Sequence, residues 1–165
     1  MERRHFNSSL LLLAGGTFAA SAGARVAAAE QGCSPPAAAG ITEQDFRTYI
    51  AAFNRSDFAG FSRYYADDVE FEGRGRHFRS RDEVLAFYRE VKSRMRETIT
   101  IRDVIVGENE LAAEIETELY AYRDWPELVT GAIKKGETIL TQNFVWYEIR
   151  AGQFVHIRSA RYRRL

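Results

Sequence analysis

Cysteine and histidine are scarce in this chain of 165 residues. Cys33 is the only cysteine, and the three histidines are His5, His77 and His156. A single cysteine excludes a disulfide bond within the chain. His77 and His156 have no close spacing to each other or to a pair of carboxylates of the kind that metal sites show. The sequence therefore predicts no metal site.

Motifs for phosphate binding and for covalent catalysis are also lacking. The stretch "GRGR" at 73–76 is rich in glycine, but it does not open directly into a helix with a suitable lysine. No serine stands in a nucleophile-elbow motif, and Cys33 lies close to the N-terminus. The chemistry that remains is acid–base catalysis in a pocket by Tyr, Glu, Asp or Asn side chains, with no cofactor.

The chain has no excess of either charge, since lysine plus arginine and aspartate plus glutamate both number 23. This balance argues against nucleic-acid binding, which needs an excess of positive charge to displace counterions. The basic tail "RSARYRRL" is the local exception and is interpreted as the solvated end of a strand. Hydrophobic residues make up 45% of the chain, which is enough for the core of one domain.

Residues 1–29 are predicted to be a signal peptide. They have a basic start, a short apolar run from Leu10 and small residues before a cut after Ala29. The apolar run is too short to span a bilayer, so no membrane contact is expected after cleavage. The mature protein, with a formal charge of −2 once Glu2 and three arginines are removed, is expected to be periplasmic or secreted.

The export route has two interpretations. Arg3 and Arg4 followed by Phe6 resemble the twin-arginine signal, whereas Glu2 and Asn7 depart from it and leave a general secretory signal open. Residues 30–40, "EQGCSPPAAAG", are predicted to be a flexible leader because their prolines and glycine cannot carry a helix. Lipidation of the cysteine in this leader is disfavoured by the charged residue before it.

Three helices are predicted after the leader. Thr42 is the expected N-cap of the first, whose buried stripe is predicted at Phe46, Tyr49, Ile50 and Phe53. The second helix is predicted over "DFAGFSRYY" with Ser56 as its cap. The third, "RDEVLAFYREVKSRM", begins at a capping box of Ser80 and Glu83.

Strands alternate with short turns in the rest of the chain. A brief strand, "DDVEFEG", follows the second helix and leads into a loop, "GRGRHFR". After Glu97 the hydrophobic period falls to two, which predicts two long strands joined at "GEN" and a hairpin turning at "RAG". Three helices followed by a bent antiparallel sheet predict an α+β fold.

The stretch "TYIAAFNRSDFAGFSRYYADDVEFEG" resembles the opening of the nuclear transport factor 2-like superfamily. The match is nearest to ketosteroid isomerases and SnoaL-like polyketide cyclases, on the features "AAFN", an Asp-led second helix and "ADDV", and "GQFVHIRSARY" is similar to their last strand. The resemblance covers residues 41–165. It implies a curved antiparallel sheet wrapped around three N-terminal helices, with a cone-shaped ligand cavity inside.

The resemblance also implies catalytic residues. In the isomerases a tyrosine at the place of Tyr49 donates to the substrate oxyanion, an acid near the place of Glu72 moves the proton, and a third donor comes from near Asn143. The family acid is an aspartate, and a register shift of one residue would put Gly73 there instead of Glu72. The third position would likewise fall on Gln142 or Phe144 if that strand slipped.

Three further residues are candidates for lining the pocket: His77, Trp125 and Trp146. A surface position for His77 and core positions for both tryptophans are the alternative interpretations. The acidic positions Glu114, Glu116 and Glu118 indicate a solvated face or the charged edge of a dimer face.

Two functions follow from the resemblance. The first is an exported, cofactor-free isomerase, cyclase or dehydratase acting on a hydrophobic carbonyl compound. The second is a non-catalytic ligand-binding or interaction module of the same fold. Both bind a hydrophobic small molecule, and a homodimer is expected in either case because one small domain cannot bury all of the aromatic strand residues.

Overall fold

The computed structural model describes residues 40–73, 75–128 and 131–165. The predicted signal peptide (1–29) and all but the last residue of the predicted leader (30–40) lie outside the described residues, as does Cys33. The described residues form three helices and six strands, in the order α1 (Glu43–Asn54), α2 (Phe58–Ser62), β1 (Tyr65–Gly73), β2 (Arg76–Phe78), α3 (Arg81–Arg94), β3 (Met95–Val106), β4 (Glu110–Ala121), β5 (Thr138–Arg150) and β6 (Gln153–Arg164).

Side chains at the helix starts satisfy backbone groups that have no partner within the helix. Thr42, the predicted N-cap of α1, forms a capping box with Asp45, with reciprocal bonds of 3.1 and 3.0 Å. Ser80 accepts a bond from the backbone of Glu83 at the start of α3. Ser56 was predicted to cap α2, but the cap is Asp57. The carboxylate of Asp57 accepts from the backbone N–H of Gly60 at 2.8 Å.

The six strands form one open sheet in the order β2-β1-β6-β5-β4-β3. The predicted α+β fold, with a curved antiparallel sheet and N-terminal helices, is confirmed. Two details differ from the prediction. β1 pairs with β6 in parallel, and the segment expected to be a loop contains the short strand β2, which forms a hairpin with β1.

Alternation along the strands gives the sheet an inner face, packed against the helices, and an outer face. On β4 and β5 the inner side chains are buried at every second position, as at Ile115 and Val145, and their outer neighbours are more exposed. The predicted stripe of α1 is buried against the inner face. None of the described helices has the length and apolarity needed to cross a membrane.

Candidate functional site

A cavity of about 90 Å³ lies between the inner face of the sheet and the helices. Its walls are mostly apolar. One side of the cavity meets solvent, at the exposed residue Arg76 and the half-exposed residues Phe78, Phe87 and Leu128. The polar side chains in the lining include Tyr49, Glu97, Thr117, Asn143 and Ser159. A mostly apolar pocket with a few polar groups is the usual form of a small-molecule site.

Tyr49 lines this cavity from α1, and its side chain is buried. Its hydroxyl lies 2.8 Å from the hydroxyl of Tyr65, and its ring packs edge-on against that of Tyr147. Burial raises the pKa of Tyr49 far above the usual range, and the hydrogen bond with Tyr65 acts in the opposite direction. Tyr49 is therefore protonated at physiological pH and able to act as a hydrogen-bond donor.

Asn143 lines the opposite wall from the inner face of β5, where it is 1% exposed. Its Nδ2 donates to the hydroxyls of Thr117 and Thr141, each at 3.2 Å. Its Oδ1 is buried and accepts no hydrogen bond within the described part of the protein. A buried acceptor without a partner costs free energy, so this oxygen is available to a donor group on a ligand.

Glu97 is an acid in the cavity that sequence reasoning missed. It stands on the inner face of β3, is 8% exposed, and its charge acts on both Tyr49 and Lys92. The alternation of side chains along a strand could have identified it. Met95, Glu97 and Ile99 are alternate residues of one strand, so their side chains face the same side of the sheet.

Asn54 fixes this part of β3 against α1. Its amide oxygen accepts from the backbone N–H of Ile99 at 2.8 Å, and its amide nitrogen donates to the carbonyl of the same residue at 2.9 Å. The Asn54 side chain, at the end of the first helix, thus makes the two backbone hydrogen bonds with Ile99 that a neighbouring strand would make. This contact holds the Glu97 segment next to the helix that carries Tyr49.

Glu72 is not at the cavity, so the structure does not bring the predicted trio together. Its side chain is 47% exposed on the outer face of β1, and Gly73 lines the cavity instead. Glu72 thus lies one residue of register away from the expected position, and in a strand a shift of one residue exchanges the two faces. A Cβ atom at Gly73 would lie 3.2 Å from the carbonyl oxygen of Ser159, so a larger side chain would be crowded there.

The three further candidates are divided between the two faces. Trp125 lines the inner cavity, where backbone bonds to Ile133 of 2.8 and 3.2 Å hold it in place. His77 and Trp146 instead line an open groove of about 1090 Å³ on the outer face. The alternatives considered for the third donor, Gln142 and Phe144, both lie on this outer face as well.

The sequence profile of the SnoaL-like domain family matches residues 46–157 of this chain. The matched segment includes Tyr49, Glu97 and Asn143. No curated protein has a sequence significantly similar to this chain.

Solved structures of similar fold carry several different descriptions. A candidate polyketide cyclase of Pseudomonas putida has a TM-score of 0.62 at 21% identity, over 70% of this chain and 86% of its own. A SnoaL-like polyketide cyclase of Agrobacterium tumefaciens has a TM-score of 0.58 at 16% identity, over 72% and 89%. An epoxide hydrolase of M. tuberculosis has a TM-score of 0.58 at 14% identity, over 70% and 78%. At these identities the likeness concerns the fold, and with the profile match it shows that the chain belongs to the SnoaL-like domain family.

Proposed function

We propose that this protein is an exported, cofactor-free enzyme that performs acid–base chemistry on a compact, hydrophobic carbonyl compound. The observation that carries the proposal is the presence of a buried carboxylate, Glu97, and a buried phenol, Tyr49, on the wall of one mostly apolar cavity. Groups of this kind in a dry pocket are those that abstract a proton beside a carbonyl and stabilise the resulting enolate.

The roles follow from the chemistry of each group. The Glu97 carboxylate takes a proton from the carbon next to the carbonyl, and Tyr49 donates a hydrogen bond to the carbonyl oxygen as it gains negative charge. Tyr49 and Tyr65 share a hydrogen bond of 2.8 Å in which either hydroxyl is able to donate. When Tyr65 donates to the Tyr49 oxygen, the Tyr49 proton is left for the ligand.

Asn143 supports recognition of a second polar group on the ligand. Its unpartnered Oδ1 is an acceptor, so it fits a ligand hydroxyl and not the oxyanion that the sequence analysis assigned to it. The cavity of about 90 Å³ is small beside the pockets of roughly 300–1,000 Å³ that hold drug-sized ligands, so it encloses at most one ring of a compact ligand, and a second ring would extend towards the side that meets solvent at Arg76. Isomerisation, cyclisation and dehydration all begin with the proton transfer that this arrangement allows.

The second candidate function is a non-catalytic binding module. The observation that favours it is the outward position of Glu72, together with a glycine where β1 reaches the cavity. An apolar cavity with donors and acceptors is sufficient to bind a ligand without turning it over.

Exchange of carbon-bound hydrogen separates the two functions. We expect the full chain, in D₂O, to accelerate deuterium incorporation beside the carbonyl of compact aryl ketones such as 2-tetralone, as followed by NMR. Small molecules that co-purify with the protein are identified by mass spectrometry. A bound hydrophobic molecule without exchange of any ketone of this size would support the binding module.

Export and self-association complete the proposal. Export rests on the N-terminal pattern of residues 1–29, with the twin-arginine route favoured by Arg3 and Arg4. A homodimer is supported by the exposed apolar side chains Ile105, Phe144, Trp146 and Tyr162 on the outer face. Four large apolar groups on one sheet face are typical of a surface that a second copy covers.

A further inference from the structure

We propose that the outer face of β1, β2 and β6 holds a zinc site formed by Glu70, Glu72, His77 and His156. Carboxylate oxygens and imidazole nitrogens are zinc ligands, and four of them complete the tetrahedral set that zinc prefers in structural sites. The sequence offered no sign of this set, because His77 and His156 lie far apart in the chain.

The sheet topology brings the four residues together. β2 pairs with β1 so that Glu72 is opposite His77, and β6 pairs with β1 so that Glu70 is opposite His156. All four side chains therefore point to the same face of three adjacent strands. The parallel pairing of the first and last strands is what brings His156 beside Glu72.

The ligand atoms of Glu70, Glu72 and His77 lie close enough together for one small ion, and His156 lies next to Glu72. One oxygen each from Glu70 and Glu72 and one nitrogen of His77 lie within 4.8 Å of one another. His77 Nε2 is 2.9 Å from Glu70 Oε2 and 3.8 Å from Glu72 Oε1, and His156 Nε2 is 3.3 Å from Glu72 Oε1. Zinc bonds of about 2.0–2.1 Å in a tetrahedron put neighbouring ligands about 3.3 Å apart, a separation that these distances bracket.

His156 provides the second, independent observation. Its Nε2 is buried and makes no hydrogen bond among the described residues, although it faces a carboxylate. Its other nitrogen, Nδ1, lies 3.5 Å from Glu148 Oε1, and Arg158 holds the same carboxylate oxygen at 2.8 Å. A carboxylate on the far nitrogen is the usual support of a metal-binding histidine, since it fixes the ring and directs the free nitrogen to the ion.

The site is separate from the cavity proposed for catalysis, because its side chains lie on the opposite face of the sheet. A zinc ion here would join the β1–β2 hairpin at the sheet edge to β6. We therefore expect zinc to raise the melting temperature and to leave acid–base chemistry at Tyr49 and Glu97 intact.

Calorimetric titration of the full chain with Zn²⁺ tests the site, using tag-free protein that has been stripped of metal with a chelator. We expect one Zn²⁺ per chain. His77→Ala and His156→Ala should each weaken binding at least 100-fold, and Glu148→Gln by about 10–100-fold, as for other groups that support a metal ligand. Glu118→Gln, on the same face but outside the set, and Cys33→Ser should leave the affinity unchanged.

Cobalt provides a readout of geometry. Co²⁺ at the site should give the intense visible absorption of a tetrahedral complex in the parent protein and in Cys33→Ser, and should lose it in His156→Ala. Zinc affinity that survives the double variant His77→Ala/His156→Ala would show adventitious binding and overturn the proposal. A weak, octahedral cobalt spectrum, or no heat of zinc binding, would overturn it as well.

Discussion

The hydroxyl groups of Tyr49 and Tyr65 lie 2.8 Å apart, buried at the meeting point of the first helix and the first strand. Tyr49 is the one side chain of the predicted apolar stripe that carries a polar group, and this hydroxyl has its partner there, while the side chain also lines the cavity. The same side chain therefore belongs to the core and to the candidate site.

Tyr49→Phe separates these two roles. Loss of the hydrogen bond should lower the free energy of unfolding by about 0.5–1.5 kcal/mol, while affinity for 2-naphthol, whose anion resembles an enolate, should fall about tenfold or more. Fluorescence titration and thermal denaturation measure the two effects. Tyr64→Phe removes the hydroxyl of a buried residue outside the cavity lining, where it accepts from Arg63, and should leave naphthol affinity unchanged. A large loss of stability with unchanged affinity would make Tyr49 a core residue only.

Asn143→Leu tests the unpartnered acceptor. The parent protein should bind 2,7-dihydroxynaphthalene more tightly than 2-naphthol, by about 2–10-fold for one additional neutral hydrogen bond. The leucine variant, which has the same branched shape and is unable to accept, should bind the two compounds equally. An unchanged preference would show that Oδ1 of Asn143 does not contact the ligand.

Self-association is predicted to depend on the outer face. Light scattering should give the mass of two chains, and Phe144→Glu combined with Trp146→Glu should give the mass of one. Both side chains are exposed large apolar groups, at 55% and 39%. Ala86→Glu adds the same group at an exposed site on α3 and should leave the mass at two chains. A single-chain mass for the parent protein at micromolar concentration contradicts the dimer.

Export through the twin-arginine route predicts sensitivity to a conservative change. Replacing Arg3 and Arg4 with lysine should retain the precursor in the cytoplasm, whereas Arg25→Lys should be delivered normally, as shown by cell fractionation. Unchanged delivery of the R3K/R4K variant would support the general secretory route instead. Cleavage after Ala29 is checked by N-terminal sequencing of the mature protein.

The sequence was informative wherever one residue decides a local structure. Thr42 and Ser80 cap their helices as predicted, and strict alternation along β4 and β5 identified the side chains that face inwards. Tyr49 was placed on the buried stripe of the first helix for this reason, whereas Asn143 was named through the family resemblance, with Gln142 and Phe144 as alternatives.

The predictions that differ from the structure concern residues whose position depends on the exact register of a strand or on the pairing of segments far apart in the sequence. The register of β1 shifts between Tyr65 and Glu70, so the face of each later residue could not be fixed from the sequence, and Glu72, expected at the cavity, lies on the outer face. Glu97 stands at the start of β3, where the helical and strand periods meet. The approach of His77 to His156 depends on the parallel pairing of β1 with β6, which no local pattern encodes.

Hydrogen exchange in a matched pair of variants tests the central claim, that catalysis uses the acid inside the cavity. The rate of deuterium incorporation into 2-tetralone is measured by NMR for the parent protein, Glu97→Gln and Glu72→Gln. We expect Glu97→Gln to lower the protein-dependent rate by about 10²–10⁴-fold, as for loss of a general base, and Glu72→Gln to leave it unchanged. A rate that survives in Glu97→Gln and is lost in Glu72→Gln would contradict this account.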